Sequence, residues 1–159
     1  MVGWEHSSLG RPGMRPFARL LLHVLGSIWT FPNTLLGLTA WLLLFPVGAR
    51  GRLVSGVFEI EGPPIRRLLK SVFGGAIGVT LGQTVLSWTQ TTHTLAREHE
   101  RVHVRQYLVW GPFFLPAYGL ASLWVWLRGG NPYYANPFER QAYAIACIGQ
   151  LDESKEDIT

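Results

Sequence analysis

The sequence predicts an α+β fold: a short sheet packed with helices, preceded by a membrane-associated helical segment. Three observations carry this reading. Residues 20–49 hold no formally charged side chain. Residues 53–61 and 74–89 are β-branched, or alternate at the two-residue period of strands. Residues 94–110 have helical periodicity and stop at Gly111-Pro112.

The chain has 159 residues, the length of one domain. Charged residues make up 15% and hydrophobic residues 48%, so the chain is more apolar than a typical soluble domain and is not disordered. The net charge of +4 suits an anionic membrane surface or nucleic acid, and the apolar runs favour the membrane. Cys147 is the single cysteine, which excludes an intrachain disulfide and a cysteine-rich zinc site. A metal site here must use histidine and carboxylate.

Residues 1–16 hold glycine and proline but no hydrophobic period, and read as a mobile arm. Residues 17–49 form the hydrophobic segment. The uncharged run exceeds the roughly 20 residues that a bilayer requires. Pro32-Asn33 interrupts it, so it reads as one kinked span or as two short helices, 20–30 and 34–45, in a re-entrant hairpin. A buried core hairpin is the competing reading. Val47-Gly48-Ala49 resembles a signal-cleavage site, but the long polar region before the run argues against a signal peptide. Arginines flank the run on both sides, so charge does not orient it.

Residues 53–61 read as one strand, ended by Gly62-Pro63-Pro64. Residues 65–70 form a short basic amphipathic helix. Residues 74–89 read as a strand whose glycines allow close backbone approach. Residues 113–127 are uncharged, and prolines confine their helix to about 116–127. The last helix covers 136–149, and residues 150–159 read as a frayed acidic tail.

His99-Glu100-Arg101-Val102-His103 is the pattern H-E-x-x-H. Positions i and i+4 share one helix face, so two imidazoles point at one ion. Glu100 lies about 100° round the helix and reaches a water at that ion without displacing a ligand. On the helical wheel Leu95, Ala96, His99, Val102, His103, Gln106 and Trp110 share one face, read as inner. Arg97, Arg101 and Arg105 share the opposite face, solvated or set against something anionic, with Glu98 a local partner at i+3 for Arg101. Two inward histidines also fit the bland reading of satisfied core residues.

A third ligand is available in Glu139, at the head of the last helix. It has a second reading: with Asn136 as N-cap and Pro137 at N1, Glu139 falls at N3 of a capping box. The sequence leaves both open. The paired motifs H-E-R-V-H-V-R-Q at 99–106 and N-P-F-E-R-Q-A-Y at 136–143 resemble the compact bacterial gluzincins, thermolysin-related metallopeptidase domains that are often attached to membranes. The resemblance covers roughly residues 53–149. It implies a minimal zincin-like domain, 50–149, with Zn2+ on His99, His103 and Glu139 and Glu100 as general base. It also implies that the strand before the H-E-x-x-H helix lies beside a peptide or protein substrate. Four positions after the carboxylate ligand, where such domains carry an acidic residue to orient an imidazole, this chain has Tyr143. Tyr133, Tyr134, His93 and Arg140 are candidate oxyanion donors by position.

The expected function is a membrane-associated zinc metallopeptidase of the bacterial cell membrane, with membrane lipid as a partner. The alternative is a zinc-binding, inactive membrane scaffold. Nucleic-acid binding through Arg97, Arg101 and Arg105 is the weakest reading, because the stripe is short, and no nucleic-acid partner is expected.

Overall fold

The computed structural model of the chain describes residues 16–156. Among these residues it has five α-helices and a mixed four-stranded sheet, an α+β architecture. The arm expected over 1–16 lies outside the described residues apart from Pro16.

Helix α1 (Pro16–Leu44) is continuous through Pro32 and ends in a 3-10 turn, Phe45–Val47. The uncharged run is therefore one helix, not two short ones. Pro32 removes one backbone donor, but tertiary contacts hold the chain on either side of it. Thr30 is fully buried, and Asn33 donates from Nδ2 to the Gly111 carbonyl at 2.9 Å. Gly26, Thr30, Asn33 and Gly37 recur at helical spacing and form the face that meets the rest of the protein. A Cβ at Gly37 would lie 1.8 Å from Thr84 Oγ1, and one at Gly26 would lie 2.9 Å from Leu108. The large apolar side chains point the other way, with Ile28, Leu42 and Leu43 66–71% exposed. Small and polar residues face in, joined at the end of the helix by Trp41 and Leu44 on the core, and most of the other leucines face out.

Strands β1 (Arg50–Val54) and β2 (Val57–Glu61) pair antiparallel. The single strand expected over 53–61 is thus a hairpin. Ser55 (φ 48°) and Gly56 (φ 80°) supply the two positive φ angles that a type I′ turn requires. Helix α2 (Pro63–Val72) follows. The strand expected over 74–89 is also a hairpin, β3 (Gly78–Leu81) and β4 (Thr84–Ser87), turning at Gly82 with φ 63°. The sheet order is β1-β2-β4-β3, with β2 and β4 parallel. Ile60, Ile65, Leu69 and Leu86 have no exposed surface and bind α2 to the sheet.

Helix α3 (Gln90–Trp110) begins before the expected start at 94, because Thr89 and Thr92 form a reciprocal cap. Thr89 Oγ1 accepts from the Thr92 amide at 3.3 Å, and Thr92 Oγ1 accepts from the Thr89 amide at 2.9 Å. A 3-10 turn, Gly111–Phe113, joins α3 to α4 (Phe114–Leu127), two residues longer at its start than expected. Helix α5 (Pro137–Glu156) packs on α3 and runs through most of the acidic segment read as frayed; residues 157–159 lie outside the described residues.

Two stretches, Val24–Val47 and Gln90–Leu127, are long and apolar enough to cross a membrane. The first half of the second carries Arg97, Glu98, Glu100, Arg101 and Arg105, so its apolar part is essentially α4, where Leu120, Trp124 and Trp126 are exposed.

The arginine face of α3 is not solvated as a stripe. Arg97 donates from Nε to Glu59 at 2.9 Å, and Arg52 reaches the same carboxylate at 2.7 Å, while Arg101 meets the Val54 carbonyl at 3.4 Å. Burial alone raises the Glu59 carboxyl, but the Arg97 and Arg52 guanidiniums outweigh it and hold it below its ordinary range. Leu95 and Trp110, expected inward, are exposed. A helix flanked by a sheet on one side and α5 on another has no single inner arc, so the wheel misplaces them.

Candidate metal centre

The central turns of α3 carry His99, Glu100 and His103 between β3 and α5. His99 Nε2 and His103 Nε2 lie 3.1 Å apart. Glu139, in the first turn of α5, closes the group, with Oε2 3.2 Å from His99 Nε2 and Oε1 3.3 Å from His103 Nε2. The three residues form a cluster able to hold a metal ion. Glu139 is 3% exposed and His103 7%.

Hydrogen bonding fixes which atoms face the centre. Gln106 donates from Nε2 to the Phe138 carbonyl at 3.1 Å and to Gln141 Oε1 at 2.9 Å. Its amide orientation is thereby set, and Oε1 faces His103 Nδ1 at 2.8 Å. Oε1 has no proton to give, so Nδ1 is the donor. In the neutral imidazole, Nε2 is then a bare acceptor aimed at His99 and Glu139. His99 Nδ1 and Glu139 Oε2 are buried without a hydrogen-bond partner. A carboxylate facing two imidazole nitrogens at this separation is stabilised by a cation among them, whether a shared proton or a metal ion.

The position of Glu139 decides against the cap reading. Asn136 caps the helix alone, its Oδ1 accepting from the Phe138 amide at 2.9 Å, while its own amide bonds the Tyr133 carbonyl at 3.1 Å. The Glu139 carboxylate turns instead to the histidines and accepts from the Tyr118 hydroxyl at 2.8 Å. The capping box that the sequence left open is not formed. Burial raises the Glu139 carboxyl, but the His103 and His99 imidazoles beside it outweigh this and hold it at about 2. The group is a carboxylate at neutral pH, the form a cation needs.

Glu100 stands beside this centre and does not join the cluster. Thr80, on β3, donates from Oγ1 to Glu100 Oε2 at 2.6 Å. A Cβ at Gly78 would lie 2.4 Å from Glu100 Oε1, so the glycine makes room for the carboxylate. Both residues line a cavity of about 350 Å³ together with His99, His103, Glu139 and Tyr133.

The other expected site residues divide. Tyr133 lines the cavity, and its hydroxyl lies 3.3 Å from that of Tyr143. Burial, then the Tyr143 hydroxyl, push the Tyr133 phenol up, so it remains a neutral donor at ordinary pH. Tyr143 packs its ring on His99 with centroids 4.5 Å apart, but its hydroxyl does not orient the imidazole, whose Nδ1 is unpartnered. Like Tyr143, the other three candidates do not line the cavity. His93 Nε2 meets the Ile60 carbonyl at 3.2 Å, nearly two helical turns before His99. Tyr134 is 67% exposed, and Arg140 points to the surface. Position near a motif placed them; helical phase removes His93 and Arg140, and the turn before α5 carries Tyr134 to the surface.

Sequence reasoning assigned no part to Gln106, Thr80, Tyr118 or Gly78. Gln106 was legible in principle, three residues after His103 on the same face. Nothing local marks Tyr118 or Thr80, which arrive on α4 and β3. No family model, no curated protein and no solved structure matches the chain.

Proposed function

We propose that the chain is a membrane-associated zinc peptidase of gluzincin type, with His99, His103 and Glu139 as ligands and Glu100 as general base. The observation that carries this is the convergence of two imidazole Nε2 atoms and a carboxylate on one point, with a protonated His103 Nδ1 behind them. Zinc takes nitrogen and oxygen ligands at about 2.0–2.1 Å in a tetrahedron, which separates ligand atoms by about 3.3 Å. The separations here, 3.1–3.3 Å, already suit it. Gln106 holds the His103 tautomer, as outer partners of metal-bound imidazoles do.

His99, His103 and Glu139 would hold the ion, which would supply Lewis acidity for activating a water and a carbonyl. Glu100 accepts the water's proton and passes it to the leaving amine. Thr80 and the space above Gly78 fix the Glu100 rotamer for both transfers. Tyr133, a neutral donor on the cavity wall, is the best-placed candidate to stabilise the oxyanion. Strand β3 is an edge of the sheet, and Gly78 and Val79 line the cavity, so an extended peptide could add to that edge by backbone pairing.

The membrane placement rests on α1. A core helix turns its leucines inward, whereas this one turns glycine, threonine and asparagine inward and leaves only 17% of its most apolar window buried. That inversion suits lipid around the outer face.

Elemental analysis of protein purified without chelator should give about one zinc per chain. No transition metal, with none taken up on addition of zinc, would end the reading. Glu139→Gln should lower zinc affinity sharply with little change in the stability of the metal-free protein, because the amide is a far poorer ligand.

A further inference from the structure

A second cavity, about 760 Å³, lies away from the metal cluster. Its walls carry Arg50 from β1, Arg66, Arg67 and Lys70 from α2, and Trp88 after β4. The Arg66 guanidinium sits 5.0 Å and the Lys70 ammonium 5.4 Å from the Trp88 ring centroid, so the indole positions two cations side by side. Glu61 contributes one carboxylate to the same cleft. Among the described residues none of these four cations makes an ion pair, whereas Arg52 and Arg97 are both tied to Glu59. Four cations against one carboxylate leave the cleft positive.

The location says what the charge is for. Val47, the last residue of the 3-10 turn after α1, lines the cleft and is 66% exposed. The outward apolar face of α1 therefore runs without a break into the basic cleft. Whether α1 spans a bilayer or lies along it, its apolar surface stops here, at the level of lipid headgroups. Arginine, lysine and tryptophan are the side chains suited to that level. A soluble acidic peptide or a nucleic acid would meet the leucines of α1 at the rim.

We infer that this cleft is a binding site for the phosphate headgroup of an anionic phospholipid, seated by Arg66, Arg67, Lys70 and Arg50 beside Trp88. The inference rests on the membrane placement proposed above but not on the peptidase chemistry. A lipid there fixes the end of α1 at the membrane surface and sets the height of the domain above it.

The full chain, purified in detergent, is equilibrated with mixed micelles holding equal phosphatidylglycerol and phosphatidylcholine, captured and washed. The two lipids retained with it are then quantified. Wild type should retain phosphatidylglycerol about fivefold or more over phosphatidylcholine, a gain on the order of that from one basic side chain near a membrane. Arg66→Gln/Lys70→Gln should return the ratio to that of the micelle while metal content is unchanged. If that variant does not fold, wild type still decides: its enrichment should collapse between about 50 and about 500 mM salt. Equal retention of both lipids, or undiminished enrichment in the folded variant, overturns the site. Displacement by millimolar glycerol phosphate overturns the lipid assignment in favour of a soluble phosphate ligand. Solubility without detergent would sink the membrane placement itself, an outcome distinct from equal lipid retention by a detergent-dependent protein.

Discussion

Helices α1 and α3 both press polar side chains into the protein, and they do so to opposite ends. On α1, Thr30 returns its hydroxyl to the Gly26 carbonyl at 3.0 Å, Asn33 satisfies Gly111, and Thr34 Oγ1 accepts from the Gln83 amide at 3.0 Å. Each of those three groups has a partner, and the face is a joint; Trp41 Nε1, farther along the helix, is the exception. On α3, the ring nitrogens of His99 and His103 are aimed at each other and at a carboxylate, and His99 Nδ1 has no partner at all. Buried polar groups cost free energy unless paired, so a saturated face stabilises a contact and an unsaturated one requires something else to arrive. The contrast separates structure from function more sharply than burial does, since both faces are buried.

The comparison breaks most visibly at Glu100. Glu100→Gln keeps the shape and can still accept from Thr80, but it cannot take a proton. Peptide hydrolysis should fall about 100- to 10,000-fold with zinc content unchanged. Undiminished turnover would remove Glu100 from the chemistry, and absence of turnover in wild type on all peptides tried would favour the zinc-binding scaffold.

Gln106 tests whether the unsaturated face is prepared for metal. Gln106→Leu releases His103 Nδ1 and should weaken zinc about 10- to 100-fold, read by chelator competition. Thermal unfolding of the metal-free protein, run alongside, isolates the packing loss. An unchanged affinity would reduce Gln106 to a packing residue between α3 and α5.

The smallest effect belongs to the joint. Asn33→Ala leaves the Gly111 carbonyl without its donor and should cost about 1–3 kcal/mol of stability in detergent, with zinc affinity unaltered. A loss of zinc in this variant would mean that α1 supports the site and that the two faces are not independent.

Much of the site was legible because it is local. Two histidines four apart in a helical segment must share a face, whatever the fold, and the uncharged run over 20–49 had to be one apolar element or two. The strands were legible as strands but not as hairpins: Ser55-Gly56 and Gly82-Gln83 are weak turn signals beside Asn-Gly, and only pairing shows where the chain reverses. Glu139 was visible as a candidate yet ambiguous, since Asn-Pro-x-Glu encodes a cap as well as it encodes a ligand. The cap lost because α5 packs on α3 with Glu139 turned to the histidines, leaving Asn136 to cap by itself.

By itself, then, the sequence determined the features that spacing along one helix dictates: the imidazole pair, the neighbouring carboxylate, and an apolar run too long for an ordinary core element. Tertiary structure decided everything that depends on which elements meet. It turned Glu139 to the histidines and away from the helix cap, brought Thr80 and Tyr118 to carboxylates far from them in the chain, tied Arg97 to Glu59, and turned most leucines of α1 outward. The physical reason is range. Helical phase is fixed within a turn or two by backbone geometry, whereas a contact between distant segments is fixed only when whole faces pack, and no short stretch of sequence carries that information.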